Sequence, residues 1–302
     1  MKLAIIILHY LKKDLTSQCL ESVKRLDKKG FELQTVVVNN SPEEDLLDAE
    51  KNFKEVEFLE TEKNLGFTGG NNLGIRYALK NQADFIMLLN NDTLIDQSAL
   101  VQLIKVASLI DQSGILGPKI YFAPGYEYHQ EKYRPEDQGK VIWYAGGVID
   151  WKNILASHRG VDEVDRGQYN RLMDTGFVSG CSMLVKKEVF EKIGLLDERY
   201  FLYLEDLDFC QRAKRGGFKI LYAPEAKIWH FNAGSSEVGG PLHDYFFTRN
   251  RMFFGMKYAS ARAKIALLRE SVRLLRNGRE WQKRGILDFY LRKFGRGTWP
   301  ES

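Results

Sequence analysis

The sequence predicts an α/β protein whose mostly parallel central sheet carries helices on both faces. Three observations point there. Residues 3–8, 35–38 and 84–89 are largely unbroken apolar runs, as expected of strands buried on both faces. Segments of helical spacing lie between them, which suits parallel strands joined by crossover helices. Each run also closes in a polar cluster: His9-Tyr10, Asn39-Asn40-Ser41 and Asn90-Asn91-Asp92. In such sheets ligands bind beyond the carboxyl ends of the strands. Any one cluster is ordinary turn polarity; three at equivalent ends point to a site.

The elements follow in order. Residues 14–27 place Leu15, Cys19, Leu20, Val23 and Leu26 on one helical face. Residues 56–59 read as a third strand. A glycine-rich loop, Asn64 to Asn71, then leads into a helix over 72–79. Residues 121–175, rich in Tyr, Gly and charge, form a less regular excursion beside the pocket. A strand over 177–185, a short helix over 188–193 and short strands over 220–222 and 226–229 come next. From about residue 245 the pattern is helical. There Ile265, Leu268, Val272 and Leu275 form an apolar stripe among Arg262, Lys264, Arg269, Arg273 and Arg276.

Composition sets the class. A chain of 302 residues with 44% hydrophobic content can bury a sizeable core. Cys19, Cys181 and Cys210 are too few and too scattered for a disulfide framework or a CxxC metal site, so reduced buried thiols in a cytosolic protein are expected. The apolar start is about half the length of a secretion signal's core, and no run approaches the roughly 18 residues of a membrane span. Charge is uneven. Residues 257–302 hold 12 Lys/Arg against 4 Asp/Glu, whereas the preceding 256 hold 32 against 36. A basic tail on a mildly acidic body points to an anionic partner.

Four groups of residues carry candidate chemistry. Asp92 sits just past an apolar strand, where a hard cation such as Mg²⁺ or Mn²⁺ would take its carboxylate together with phosphate oxygens; a turn or helix-cap role is the other reading. Glu205, Asp206 and Asp208 open a helix after Tyr200-Phe201-Leu202-Tyr203-Leu204. Like charges held close raise at least one pKa, which is useful in a general base, although acidic capping of a first turn reads the same way. His230 ends a strand and faces a Gly/Ser loop, as a structural residue or as a metal ligand. The glycines among residues 64–74 would let backbone amides approach phosphate, but they match neither a Walker A motif nor GxGxxG.

Together these clusters resemble family 2 of the glycosyltransferases, within it the rhamnosyltransferase-like group that builds bacterial surface polysaccharides. The carriers are NLGFTGGNNLGI, LLNNDT, DTGFVSGCSMLVKKEVFEKIGLLDERYFLYLEDLDFCQRAKRGGF and APEAKIWHFNAGSS, with weaker echoes at 246–250 and in GILDFYLRKFGRG. The resemblance implies a GT-A-type αβα sandwich over residues 1–244, with a nucleotide-binding half to residue 95 and an acceptor-binding half beyond it. A basic helical region, 245–302, would follow. It implies Mg²⁺ or Mn²⁺ on Asp92 and His230, and Asp206 with Glu205 as catalytic carboxylates. The donor would lie against His9, Tyr10, Asn39, Asn40, Asn64, Gly66, Gly70, Asn71, Asn91 and Asp92. Where the family carries a DxD motif, this chain has Asn90-Asn91-Asp92, with one acid.

The implied reaction moves a sugar from a nucleotide-diphosphate donor, dTDP-rhamnose or a UDP-sugar, to a glycan or lipid-linked acceptor, with inversion. The implied location is the cytoplasm, peripheral at the inner face of the cell membrane. Two other classes compete: a sugar nucleotidyltransferase, which would want a basic glycine loop after the first strand, and a binding protein with a decayed site. Nucleic acid is not expected, because the basic tail holds no recognised module.

Overall fold

The structure, a computed structural model, describes residues 1–232 and 239–301. The Gly/Ser loop expected after His230 lies mostly outside the described residues.

The first half alternates β1 (Lys2–His9), α1 (Lys13–Lys24), β2 (Glu32–Asn39), α2 (Leu47–Asn52), β3 (Val56–Glu60), α3 (Gly66–Lys80) and β4 (Phe85–Asn90). These four strands are parallel in the order β4-β1-β2-β3, and Leu3 to Ile7 are wholly buried. Leu3, Ile5, Ile6 and Ile7 each contribute roughly 1.5–3 kcal/mol of burial free energy, so this half is anchored on β1.

The second half widens the sheet. It contains β5 (Thr93–Ile95), α4 (Ala99–Leu109), β6 (Ser113–Phe122), β7 (Ile142–Tyr144), β8 (Gly147–Asp150), β9 (Leu155–His158), β10 (Met173–Asp174), β11 (Ser182–Lys186), α5 (Lys187–Ile193), α6 (Glu205–Arg215) and β12 (Lys219–His230). The full strand order is β10-β12-β6-β11-β4-β1-β2-β3, with β5 against β12 and β7 against β6. β11 is antiparallel to both β4 and β6, so the central sheet is mixed at its middle and mostly parallel elsewhere. Three helices close the chain: α7 (Pro241–Tyr258), α8 (Ala261–Asn277) and α9 (Glu280–Tyr290). Cys19, Cys181 and Cys210 are buried free thiols.

Three sequence expectations need correction. The glycine-rich segment is not a loop before residue 72, because α3 begins at Gly66 and its glycines lie in the first turns. A Cβ on Gly74 would overlap the methyls of Ile6 and Val38, so the glycines let this helix sit directly on the sheet. The strand expected over 177–185 is confined to Ser182–Lys186, and residues 177–181 are a loop. The strands at 220–222 and 226–229 are one strand, β12, interrupted by an irregularity between Ala223 and Lys227. The excursion over 121–175 contains β7 and the β8–β9 hairpin, too short to register as apolar runs.

Candidate active site

The carboxyl ends of β1, β2, β4 and β12 meet at one rim. Asn91, after β4, donates to Leu11 O (3.1 Å) and to Thr16 Oγ1 (2.9 Å). Thr16 contacts His9 Nδ1 at 2.7 Å, and His9 Nε2 lies 3.1 Å from Glu44 Oε2. His9 is fully buried, and that burial holds it below the usual imidazole range although Glu44 opposes the shift. A neutral ring accepting from Thr16 and donating to Glu44 satisfies every partner. Tyr10 follows, partly exposed. Leu11 and Lys12 adopt left-handed backbone (φ 58° and 61°), and Leu11 N donates to Ser41 Oγ, so the β1–α1 loop is tied to the end of β2.

Asn39 and Asn40 are both buried and occupied. Asn39 donates to Glu60 Oε2 (2.8 Å) and Glu44 O (2.9 Å) and accepts from Ser41 N. Asn40 donates to Asn64 Oδ1 (3.1 Å) and accepts from Leu65 N (2.8 Å). Asn64 in turn accepts from Gly66 N (2.8 Å). These amides therefore fasten the start of α3 to the end of β2. Gly70 packs on Leu8, and Asn71 donates to Phe67 O one turn back. The side chains expected at the donor site thus bind one another across the ends of β1, β2 and β4 and the start of α3.

Asp92 and His230 are brought together by strand register. β5 pairs antiparallel with β12, with Thr93 opposite His230, and Phe231 N donates to Asp92 O. His230 Nε2 consequently lies 3.2 Å from Asp92 Oδ1. The imidazole packs edge-on against Trp143, whose other neighbour is His158. Burial pushes His158 down to about 4. His230 Nδ1 is buried with no hydrogen-bond partner among the described residues. No cluster of three or more His, Cys, Asp or Glu that could hold a metal occurs among them. One carboxylate and one imidazole still fit a divalent cation. Such a pair would hold the cation by an oxygen and a nitrogen and leave the rest of its shell to phosphate oxygens.

Asp206 occupies the first turn of α6. Its Oδ2 accepts from Gly180 N (3.1 Å) and its Oδ1 from Leu207 N (2.8 Å). The carbonyl of Cys181 accepts from Asn90 N (2.9 Å), so Asp206 stands one residue from the strand that leads to Asp92. Burial pushes Asp206 up to about 6 against those two amides. Glu205 is buried and its Oε2 lacks a partner among the described residues; burial first, and the Asp206 charge second, hold it well above the carboxylate range. Burial and the neighbouring charge therefore disfavour ionisation of Glu205 beside Asp206. Asp208 faces away. It binds Arg212 (2.7 Å), Lys257 (2.6 Å) and Tyr258 (2.8 Å) and ties α6 to α7.

The model of the family described as "Glycosyltransferase like family 2" matches residues 2–255. The chain belongs to glycosyltransferase family 2. Among its relatives in the family, the low-salt glycan biosynthesis hexosyltransferase Agl10 of Haloferax volcanii is 27% identical over 72% of this chain and 63% of its own length. The N-acetylglucosaminyl-diphospho-decaprenol L-rhamnosyltransferase of Mycobacterium tuberculosis is 26% identical over 51% of this chain and 48% of its own. The chain therefore spans about half to two thirds of these relatives' length. The dTDP-rhamnosyl transferase RfbF of Shigella flexneri is 26% identical over 71% of this chain and 68% of its own.

Solved structures share the fold at low identity. GalNAc-T7 with UDP, GalNAc and Mn²⁺ superposes at TM-score 0.59, with 15% identity over 90% of this chain and 55% of that one. The mannosyltransferase PcManGT of Pyrobaculum calidifontis, with GDP-Man and Mn²⁺, superposes at 0.55, with 12% identity over 96% and 74%. The family 2 assignment and the GT-A fold expected from the motifs are borne out.

Sequence reasoning missed several contributors to this candidate site. Thr16, Glu44 and Glu60 orient the wall residues, Trp143 and His158 back His230, and Gly180 holds Asp206. Only Gly180 falls within a quoted motif. The others lie in segments whose composition carries no signal.

Proposed function

We propose that this protein is an inverting glycosyltransferase that moves a sugar, rhamnose favoured, from a nucleotide-diphosphate donor to a hydroxyl of a glycan or lipid-linked acceptor in surface-polysaccharide synthesis. The observation that carries the reading is the Asp92–His230 pair, with Asp206 held by Gly180 next to the Cys181 that binds the end of β4. The choice of rhamnose rests on the names of the Mycobacterium tuberculosis and Shigella flexneri relatives.

In this reading His9, Tyr10, Asn39, Asn40 and Asn91 shape the nucleoside end of the crevice. Asn64, Gly66, Gly70 and Asn71 set the first turns of α3 along it. Asp92 and His230 would hold Mg²⁺ or Mn²⁺, and the cation, when bound, offsets negative charge on the diphosphate. Asp206 takes the proton of the acceptor hydroxyl while that oxygen bonds to the anomeric carbon. The bond from that carbon to the diphosphate breaks, and its electron pair leaves with the nucleoside diphosphate. Glu205 beside it is held toward its neutral form by burial and by the Asp206 charge. One displacement inverts the anomeric centre without a covalent enzyme intermediate.

Membrane contact fits the same reading. No helix among the described residues is long and apolar enough to cross a membrane. α8 instead exposes Ile265, Leu268 and Val272 beside Arg262, Arg269, Arg273 and Arg276, which suits docking at the inner face of an anionic membrane. The test is transfer from dTDP-rhamnose, UDP-glucose and UDP-galactofuranose to a lipid-linked saccharide, followed by product mass. Turnover of one donor that Asp206→Asn abolishes supports the proposal. Turnover of none, with the protein folded, sinks it.

A further inference from the structure

The segment leading into Asp206 is strained. Phe201, Tyr203 and Leu204 all have left-handed backbone, with φ of 64°, 69° and 68°, and none is glycine. Such conformations persist only where surrounding structure over-determines them. Here the surroundings come from α7, past the half of the chain that carries the donor-side residues.

Asn250 is wholly buried, and its Nδ2 donates to three carbonyls of this segment: Tyr200 (2.9 Å), Leu202 (2.7 Å) and Tyr203 (2.9 Å). Arg249, also wholly buried, adds Nη2 bonds to Tyr200 O (3.0 Å) and Arg199 O (3.3 Å). Its Nε donates to Asn250 Oδ1 (3.0 Å), which fixes the amide orientation. Phe201 stacks on Phe246 of the same helix at 5.0 Å. On its other side the Phe201 carbonyl accepts from Thr68 N in the first turns of α3. One short segment thus joins α7, the donor side of the crevice and the start of α6.

We propose that Arg249 and Asn250 are positioning residues for sugar transfer. They hold residues 200–204 in the shape, left-handed at Phe201, Tyr203 and Leu204, that presents Asp206 from α6 while Phe201 docks on α3. The inference rests on the reading of Asp206 as the base. A carbonyl-rich segment needs concentrated donors to stay in this shape, and an amide beside a guanidinium supplies them. Both residues act through the backbone they hold and touch no substrate.

The test compares the full chain with Asn250→Ala and with the milder Arg249→Lys, each checked for folding by its melting curve. Hydrogen exchange should rise at least tenfold at amides 201–206 and stay unchanged in β1 and β4. In donor turnover kcat should fall at least tenfold in Asn250→Ala and severalfold in Arg249→Lys, with donor KM within about threefold of wild type. Unchanged protection at 201–206, or faster exchange spread over the whole chain, overturns the proposal. So does a raised donor KM at unchanged kcat. If wild-type turnover survives Asp206→Asn, the base assignment fails, and the exchange measurement still decides whether these residues hold the segment.

Discussion

Asp206 and Glu205 are neighbours in sequence with opposite electrostatic situations. Asp206 accepts two backbone amides, whereas one oxygen of Glu205 has no partner among the described residues. If Asp206 is the base, Asp206→Asn should lower kcat by about 10²–10⁴. Glu205→Gln keeps the shape of a side chain that burial and the Asp206 charge already hold toward its neutral form, and should stay within a few-fold of wild type. Comparable losses in both variants would contradict the division of roles. A base works deprotonated, and burial has pushed Asp206 up to about 6. Activity should therefore rise with pH through about 6, and a limb near the ordinary carboxylate value of about 4 would show that Asp206 is not the group being read.

At the scale of elements, α3 shows what the sequence displayed and what it hid. The glycines between Asn64 and Gly74 were visible, and phosphate approach was a natural reading. Packing explains them as well, since a helix this close to β1 and β2 leaves no room for a Cβ at Gly74. Gly74→Ala should cost about 1–3 kcal/mol by overpacking. Gly66 combines a φ of 73° with a Cβ position 2.7 Å from the Phe201 carbonyl. Gly66→Ala adds about 1–2 kcal/mol of backbone strain and pushes against the segment that presents Asp206. Chemical denaturation should show both losses, and transfer should fall further in Gly66→Ala. Wild-type stability in either would refute the packing account.

The long buried strands were legible because unbroken apolar runs have one dominant explanation in an α/β chain. β11 joining antiparallel was not, since register leaves no trace in composition. The 3.2 Å approach of Asp92 to His230 is itself a register effect between β5 and β12, residues far apart in sequence. Trp143 and His158 were invisible for the same reason.

The whole molecule adds the C-terminal helices. Asp208 binds Lys257 and Tyr258 of α7, and Arg251 binds the carbonyls of Asn153 and Ile154, so α7 is packed on the sheet-bearing body. α8 presents its apolar and basic face outward. Vesicles containing anionic lipid should bind the protein, more weakly as salt rises, because exposed charges are screened within about 10 Å at 0.1 M. Replacing Ile265 and Val272 by Asp should weaken that binding without changing turnover of a water-soluble acceptor. Equal binding to neutral and anionic vesicles would argue against a basic docking face.

The central claim is that Asp92 and His230 mark a metal-assisted site for a nucleotide diphosphate. The most direct measurement is calorimetric titration with dTDP and UDP, with and without Mn²⁺, of wild type and Asp92→Ala. The account predicts binding that needs Mn²⁺, favours one nucleotide and is lost in Asp92→Ala. No binding of either nucleotide by the folded wild type under any metal condition, or equal binding by Asp92→Ala, would contradict it.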